Sequence, residues 1–98
     1  MKTATFINPK EVNTDLMRQD RIESGLDQES LAEVLGLNPS TISSWENGKR
    51  TPKVAHLVRF SDTISEDPKK YVIGDALRQV SLFLSKRAGV QDFARQVK

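Results

Sequence analysis

An all-α fold of helices joined by short connections is what the sequence predicts, and three observations predict it. Capping residues stand directly before proline at Asn38-Pro39, Thr51-Pro52 and Asp67-Pro68. This is a helix-start pattern, because proline loses no hydrogen bond at the first helical position. Gly25, Gly36 and Gly48 follow stretches of helix length, where a left-handed residue ends a helix. Apolar residues such as Leu31, Val34 and Leu35 recur at helical rather than alternating spacing.

Each element follows from its local chemistry. Residues 1–12 hold Thr3, Thr5, Phe6 and Ile7 before Pro9, a weak strand signal or a loose arm. Asn13 or Thr14 caps a first helix that runs to about Ser24 and stops at Gly25. Asp27 caps a second, Gln28 to Leu35, and Gly36 stops it. Asn38-Pro39 starts a third, which runs to about Glu46 and closes at Asn47-Gly48, two residues that tolerate positive φ. Thr51-Pro52 starts a fourth, to Ile64, and Asp67-Pro68 a long fifth, to Arg87. Gly89 breaks the pattern, and Val90, Phe93 and Val97 suggest a short sixth amphipathic turn or two.

Composition narrows the function. The chain has 98 residues, one domain by length, with 37% hydrophobic and 29% charged residues. With no cysteine there is no disulfide scaffold, thiolate zinc site or cysteine nucleophile. The single histidine, His56, excludes a His-rich metal site, and neither a phosphate-cradling glycine loop nor a carboxylate pair with a site around it appears. Neither an enzyme nor a cofactor or metal site is therefore expected. No apolar run approaches the ~20 residues of a membrane span, and no secretory leader is visible at the start, so a cytoplasmic location is expected. The net charge is only +2, but it is unevenly spread: −4 over residues 14–36, +3 over 37–60, −3 over 61–68 and +5 over 69–98. A negatively charged partner prefers the second and last of these blocks.

The second and third helices carry the informative motif. Only Gly36-Leu37-Asn38 separates them, so they turn sharply, and Ala32 lets them approach closely. Ile42 and Trp45, at i and i+3, join Leu35 and Leu37 in a compact core. The remaining face of the third helix is Pro39, Ser40, Thr41, Ser43 and Ser44. A small, polar, uncharged face is unusual for a solvated helix and suits one inserted into the DNA major groove, where short hydroxyls reach base edges or the thymine methyl.

From Arg21 to Pro52 the sequence resembles the Xre family of Cro- and phage-repressor-type helix-turn-helix DNA-binding domains. Gln28, Ala32, Gly36, Ile42, the run Trp45-Glu46-Asn47-Gly48 and Pro52 stand at the family's spacings. The likeness covers about residues 14–74 and implies a five-helix, lambda-repressor-like fold, with a helix-turn-helix DNA-binding core at residues 13–67, a long fifth helix, a C-terminal extension and a short N-terminal arm or strand. It implies that Gln28 binds a DNA phosphate, that Ser40, Thr41 and Ser44 face base edges with Pro39 and Ser43 beside them, and that Lys49 and Arg50 form a phosphate-binding loop. It also implies an ion pair between Arg21 and Glu46, both structural. The third helix offers no Gln or Arg for bidentate base contact, which leaves phosphate contact alone as the other reading of its hydroxyls. For Lys49 and Arg50 the other reading is a solvated basic turn.

The tail, residues 68–98, is read as a helical dimerisation region. Val72, Ile73, Ala76, Leu77, Val80, Phe83, Leu84 and Ala88 fall on one side of the long helix, and Tyr71 and Leu82 on the other. One arc caps the core and the surplus meets a second copy. The other reading is an intramolecular core with Val90, Phe93 and Val97 folded back. The arm, residues 1–12, pairs across the dimer, reaches into DNA or stays disordered. The function expected is a sequence-specific regulator of transcription, a repressor that binds a palindromic operator in double-stranded DNA as a homodimer. The alternative is the antitoxin of a toxin–antitoxin pair, which represses its own operon and binds a protein partner through the arm or tail. An anti-repressor is a further possible protein partner.

Overall fold

The computed structural model describes residues 7–97, with side chains described for 7–87. A 3-10 turn, Pro9–Glu11, leads into α1 (Thr14–Glu23), α2 (Gln28–Leu35), α3 (Pro39–Glu46) and α4 (Val54–Thr63). A second 3-10 turn, Pro68–Tyr71, precedes the long α5 (Gly74–Val97). The all-α architecture with five α-helices is as the sequence predicts.

The first three helices end where their local chemistry places them. The Asn13 side chain accepts from the Leu16 amide at 3.0 Å, and that of Asp27 from the Ser30 amide at 2.7 Å. Each satisfies one of the donors that a helix start leaves open. Gly36 lies at φ +71°, and the Leu37 amide reaches back to the Ala32 carbonyl at 2.9 Å, closing α2 and turning the chain into α3. Asn38 stands at the cap position of α3, but its side chain makes no capping hydrogen bond. The Thr41 amide bonds instead to the Asn38 carbonyl at 3.0 Å.

The other two cap-and-proline pairs do not start α-helices. Thr51 donates its hydroxyl to the Ile7 carbonyl at 2.7 Å, Pro52 is buried, and α4 begins at Val54 rather than Pro52. Asp67 caps only the 3-10 turn, through the Lys69 amide at 3.0 Å. The fifth α-helix therefore starts at Gly74 rather than Pro68, because the chain between is extended to pair with the arm. Val12 and Val72 form an antiparallel bridge, with hydrogen bonds from the Asn13 amide to the Tyr71 carbonyl (2.7 Å) and from the Ile73 amide to the Glu11 carbonyl (2.9 Å). Glu11 then caps α5 from outside that helix, its carboxylate accepting from the Ala76 amide at 2.9 Å. Gly74 lies at φ +61°, and a Cβ there would come within 2.8 Å of the Glu11 carboxylate. Glycine answers both constraints.

The expected break at Gly89 does not occur: α5 runs to Val97. A single interior glycine costs roughly 1 kcal/mol relative to alanine, which weakens a helix without ending it. The reading in which Val90, Phe93 and Val97 fold back concerns side chains outside those described. Residues 1–6, and with them most of the weak strand signal, also lie outside the described residues. The 3-10 turn corrects the helical phase assumed for the tail. Tyr71 is off the helix and buried, while Leu82 and Ile73 are 51% and 64% exposed.

One apolar core joins these elements. Leu31 and Leu35 of α2, Ile42 and Trp45 of α3, Leu57, Val58 and Phe60 of α4, and Ala76 and Val80 of α5 are buried together with Ile7 of the arm and Met17 of α1. Each large aliphatic or aromatic side chain removed from water in this way contributes about 1.5–3 kcal/mol before entropy is counted. Phe60 and Tyr71 pack edge to face with ring centres 5.6 Å apart. The buried Tyr71 hydroxyl donates to the Asp20 carboxylate at 2.7 Å, and Lys70 Nζ lies 2.9 Å from the same oxygen. Burial first, then the Asp20 carboxylate, push the tyrosine's ionisation up, so it remains a donor. The Lys70 ammonium first, then the Tyr71 hydroxyl, hold Asp20 below the ordinary carboxylate value of 3.8. A depressed folded-state pKa contributes stability at higher pH that is lost as pH falls through it. Asp20→Asn is therefore expected to flatten the decline in stability below about pH 4, as read by urea unfolding across pH. An unchanged acid limb would remove Asp20 from that decline.

Candidate nucleic-acid interface

The outward side of α3 is built by what its inward side buries. Ile42 and Trp45 are 1% and 3% exposed and anchor the helix to the core. Pro39 and Ser40 are consequently exposed at its N-terminal end, with Thr41, Ser43 and Ser44 half-buried along it. Ser43 accepts at its hydroxyl from the Asn47 side-chain amide at 3.3 Å. The helix thus presents short oxygen donors and acceptors with no long charged side chain among them, which suits close approach to base edges.

The basic loop is folded back onto the end of the same helix. The Lys49 and Arg50 amides both donate to the Ser44 carbonyl, at 2.9 and 3.2 Å, and Gly48 takes φ +78° to make that return. Lys49 and Arg50 are exposed. They line a shallow groove with Pro9, Gly48 and Thr51, so Pro9 borders the loop. Thr51 holds the carbonyl of the buried Ile7, which ties that residue to the loop.

At the last residue of α3, Glu46 ties three elements together. Arg21 donates from Nε to Oε2 at 2.7 Å and from Nη2 to Oε1 at 3.1 Å, a two-pronged pair in which both side chains are under 10% exposed. The third prong, Nη1, donates to the Leu26 carbonyl at 2.7 Å. Gln28 donates its side-chain amide to Glu46 Oε1 at 2.9 Å. The ion pair expected between Arg21 and Glu46 is therefore present, and it carries Gln28 with it. One amide hydrogen of Gln28 is engaged by Glu46, and the second remains for an external acceptor.

Three features escaped the sequence reading. Asn38 reads as a cap, yet its amide makes no capping bond and is exposed at the start of α3. Arg18 lies with its Nε 3.9 Å from Glu46 on the exposed edge of the ion pair, which its spacing three residues before Arg21 already signalled. His56 packs beside Trp45, ring centres 6.1 Å apart. Burial first, then the nearby charges of Lys53 and Arg59, hold its pKa below the ordinary value and keep it neutral at pH 7. Among the described residues no group of three or more His, Cys, Asp or Glu is placed to hold a metal ion, and no helix is long and apolar enough to cross a membrane.

Comparison with known proteins places this geometry. The helix-turn-helix family model HTH_3 matches residues 17–69. No curated protein matches the chain. Among solved structures, the restriction-modification controller protein C.AhdI from Aeromonas hydrophila is 27% identical over 57% of this chain and 81% of that one, with a TM-score of 0.54. The clp gene regulator ClgR from Corynebacterium glutamicum is similar in fold, at 20% identity over 93% and 92% of the two chains and a TM-score of 0.58. So is the hypothetical transcription factor NHTF from Neisseria, at 18% identity, 81% and 94% coverage and a TM-score of 0.56.

Proposed function

The chain belongs to the HTH_3 helix-turn-helix family and is a DNA-binding regulator of transcription, and on that premise we propose that it is a repressor that occupies a palindromic operator as a homodimer. The observation that carries this reading is the division of α3: Ile42 and Trp45 buried, Pro39 and Ser40 exposed. In this reading Ser40, Thr41 and Ser44 meet base edges, with Pro39 and Ser43 beside them. Gln28 meets a phosphate with its remaining amide hydrogen, and Lys49 and Arg50 meet phosphates beyond the end of α3. Phosphate contacts set affinity and orientation, and base contacts set sequence preference. The protein works where the DNA is, in the cytoplasm.

Replacing Ser40 and Thr41 together by alanine is expected to narrow the gap between operator and mixed-sequence DNA by about tenfold, while binding to mixed-sequence DNA stays close to wild type. Fluorescence anisotropy with both duplexes measures this. Equal losses on the two would assign the hydroxyls to phosphates instead.

The dimer reading rests on α5 and the residue before it. Ile73 and Leu82 are 64% and 51% exposed, an excess of apolar surface that a second copy covers. A two-fold dimer sets two reading helices one DNA turn apart, ~34 Å. Light scattering at micromolar concentration is expected to give twice the chain mass, and Ile73→Asp with Leu82→Asp the chain mass alone. A wild-type monomer would overturn the dimer.

A further inference from the structure

We infer that Arg18, on α1, is a further phosphate contact that works as a pair with Gln28. The inference rests on the DNA-binding reading above and adds to it a residue from outside the helix-turn-helix pair.

The argument begins with the valences of Glu46. Its Oε2 is held by Arg21 Nε at 2.7 Å, and its Oε1 by Arg21 Nη2 at 3.1 Å and Gln28 Nε2 at 2.9 Å. Arg18 Nε lies 3.9 Å from that same Oε1, beyond hydrogen-bond distance. Arg18 makes no hydrogen bond among the described residues, and its side chain is 54% exposed against 7% for Glu46. The five N–H donors of a guanidinium are therefore left for an acceptor outside the protein.

Charge leads to the same place. Arg21 neutralises Glu46 in the buried pair, so the cluster of Arg18, Arg21 and Glu46 keeps one surplus positive charge, and the exposed member carries it. Arg18 and Gln28 approach one carboxylate oxygen from outside the pair, so the Gln28 amide and the Arg18 guanidinium are near enough to grip one phosphate between them. A planar guanidinium and a neutral amide on one phosphate combine charge with direction. Arg18 lies in the acidic stretch 14–36, and two of the six acids there are engaged by other partners. Asp20 is held by Lys70 and Tyr71, and Asp27 caps α2.

The test uses the full-length protein and a short mixed-sequence DNA duplex, with binding measured from about 50 to about 200 mM salt. Arg18→Ala is expected to weaken binding about tenfold and to reduce the slope of log K against log salt by about 0.9, the loss of one phosphate contact. Arg18→Lys is expected to retain the slope, because it retains the charge, with a smaller loss of affinity. Thermal melting of both variants is expected to match wild type, since Arg18 makes no hydrogen bond within the fold. If Arg18→Ala leaves slope and affinity unchanged while wild type binds normally, Arg18 is a solvated charge and the inference is overturned, with the DNA-binding reading intact. If wild type does not bind the duplex at any salt, that reading and this inference fail together.

Discussion

Glu46→Ala is expected to destabilise the fold by about 3 kcal/mol. The loss does not measure how much the ion pair contributes. It arises because the variant leaves the buried Arg21 guanidinium with only the Leu26 carbonyl at 2.7 Å as partner. Desolvating an ion pair offsets most of its attraction, whereas removing one member strands the other. Replacing both, Arg21→Met with Glu46→Leu, is therefore expected to return most of the stability. It is not expected to return DNA affinity, because Gln28 loses the acceptor that fixes its amide at 2.9 Å. Urea unfolding of the two variants, with anisotropy titrations on the same samples, separates the two effects. A loss under about 1 kcal/mol for Glu46→Ala would contradict the buried pair.

Lys49→Ala with Arg50→Ala is expected to weaken binding to every duplex by about a hundredfold and to flatten the salt dependence by about 1.8 in slope, two phosphate contacts' worth. Stability is expected to stay near wild type. The exposed side chains do not shape the loop, which is held by its amides on the Ser44 carbonyl and by Gly48. Preference among sequences is expected to be unchanged, since these contacts carry no base information. The salt series on operator and mixed-sequence DNA checks all three, and an unchanged slope would remove the loop from the interface.

How far the sequence speaks for the structure depends on the range of each interaction. Helices α1 to α3 read correctly because their ends are set within five residues: Asn13 on Leu16, Asp27 on Ser30, and the Leu37 amide on Ala32 behind Gly36. Thr51-Pro52 and Asp67-Pro68 carry the same local pattern but are claimed by distant partners. The Thr51 hydroxyl goes to Ile7, and the stretch after Pro68 extends so that Val72 can bridge to Val12. No pattern within a dozen residues reveals a bond between positions 44 or 60 apart. The interface divides in the same way. The hydroxyl face of α3 and the basic loop are legible because burial of Ile42 and Trp45 dictates them. The cluster of Gln28, Arg21 and Arg18 around Glu46 joins three elements, and only folding brings them to one carboxylate. The family likeness implies the Arg21–Glu46 pair; spacing puts Arg18 on the same side of α1 as Arg21, but its approach to Glu46 depends on the fold.

Recovery of bound duplexes from a random pool, repeated until the sequences stop changing, asks most directly whether α3 reads DNA. The expected result is two short half-sites related by two-fold symmetry, their centres one helical turn apart, with enrichment lost in the Ser40 and Thr41 double variant. A pool that binds and yet remains random through every round would contradict a reading role for α3.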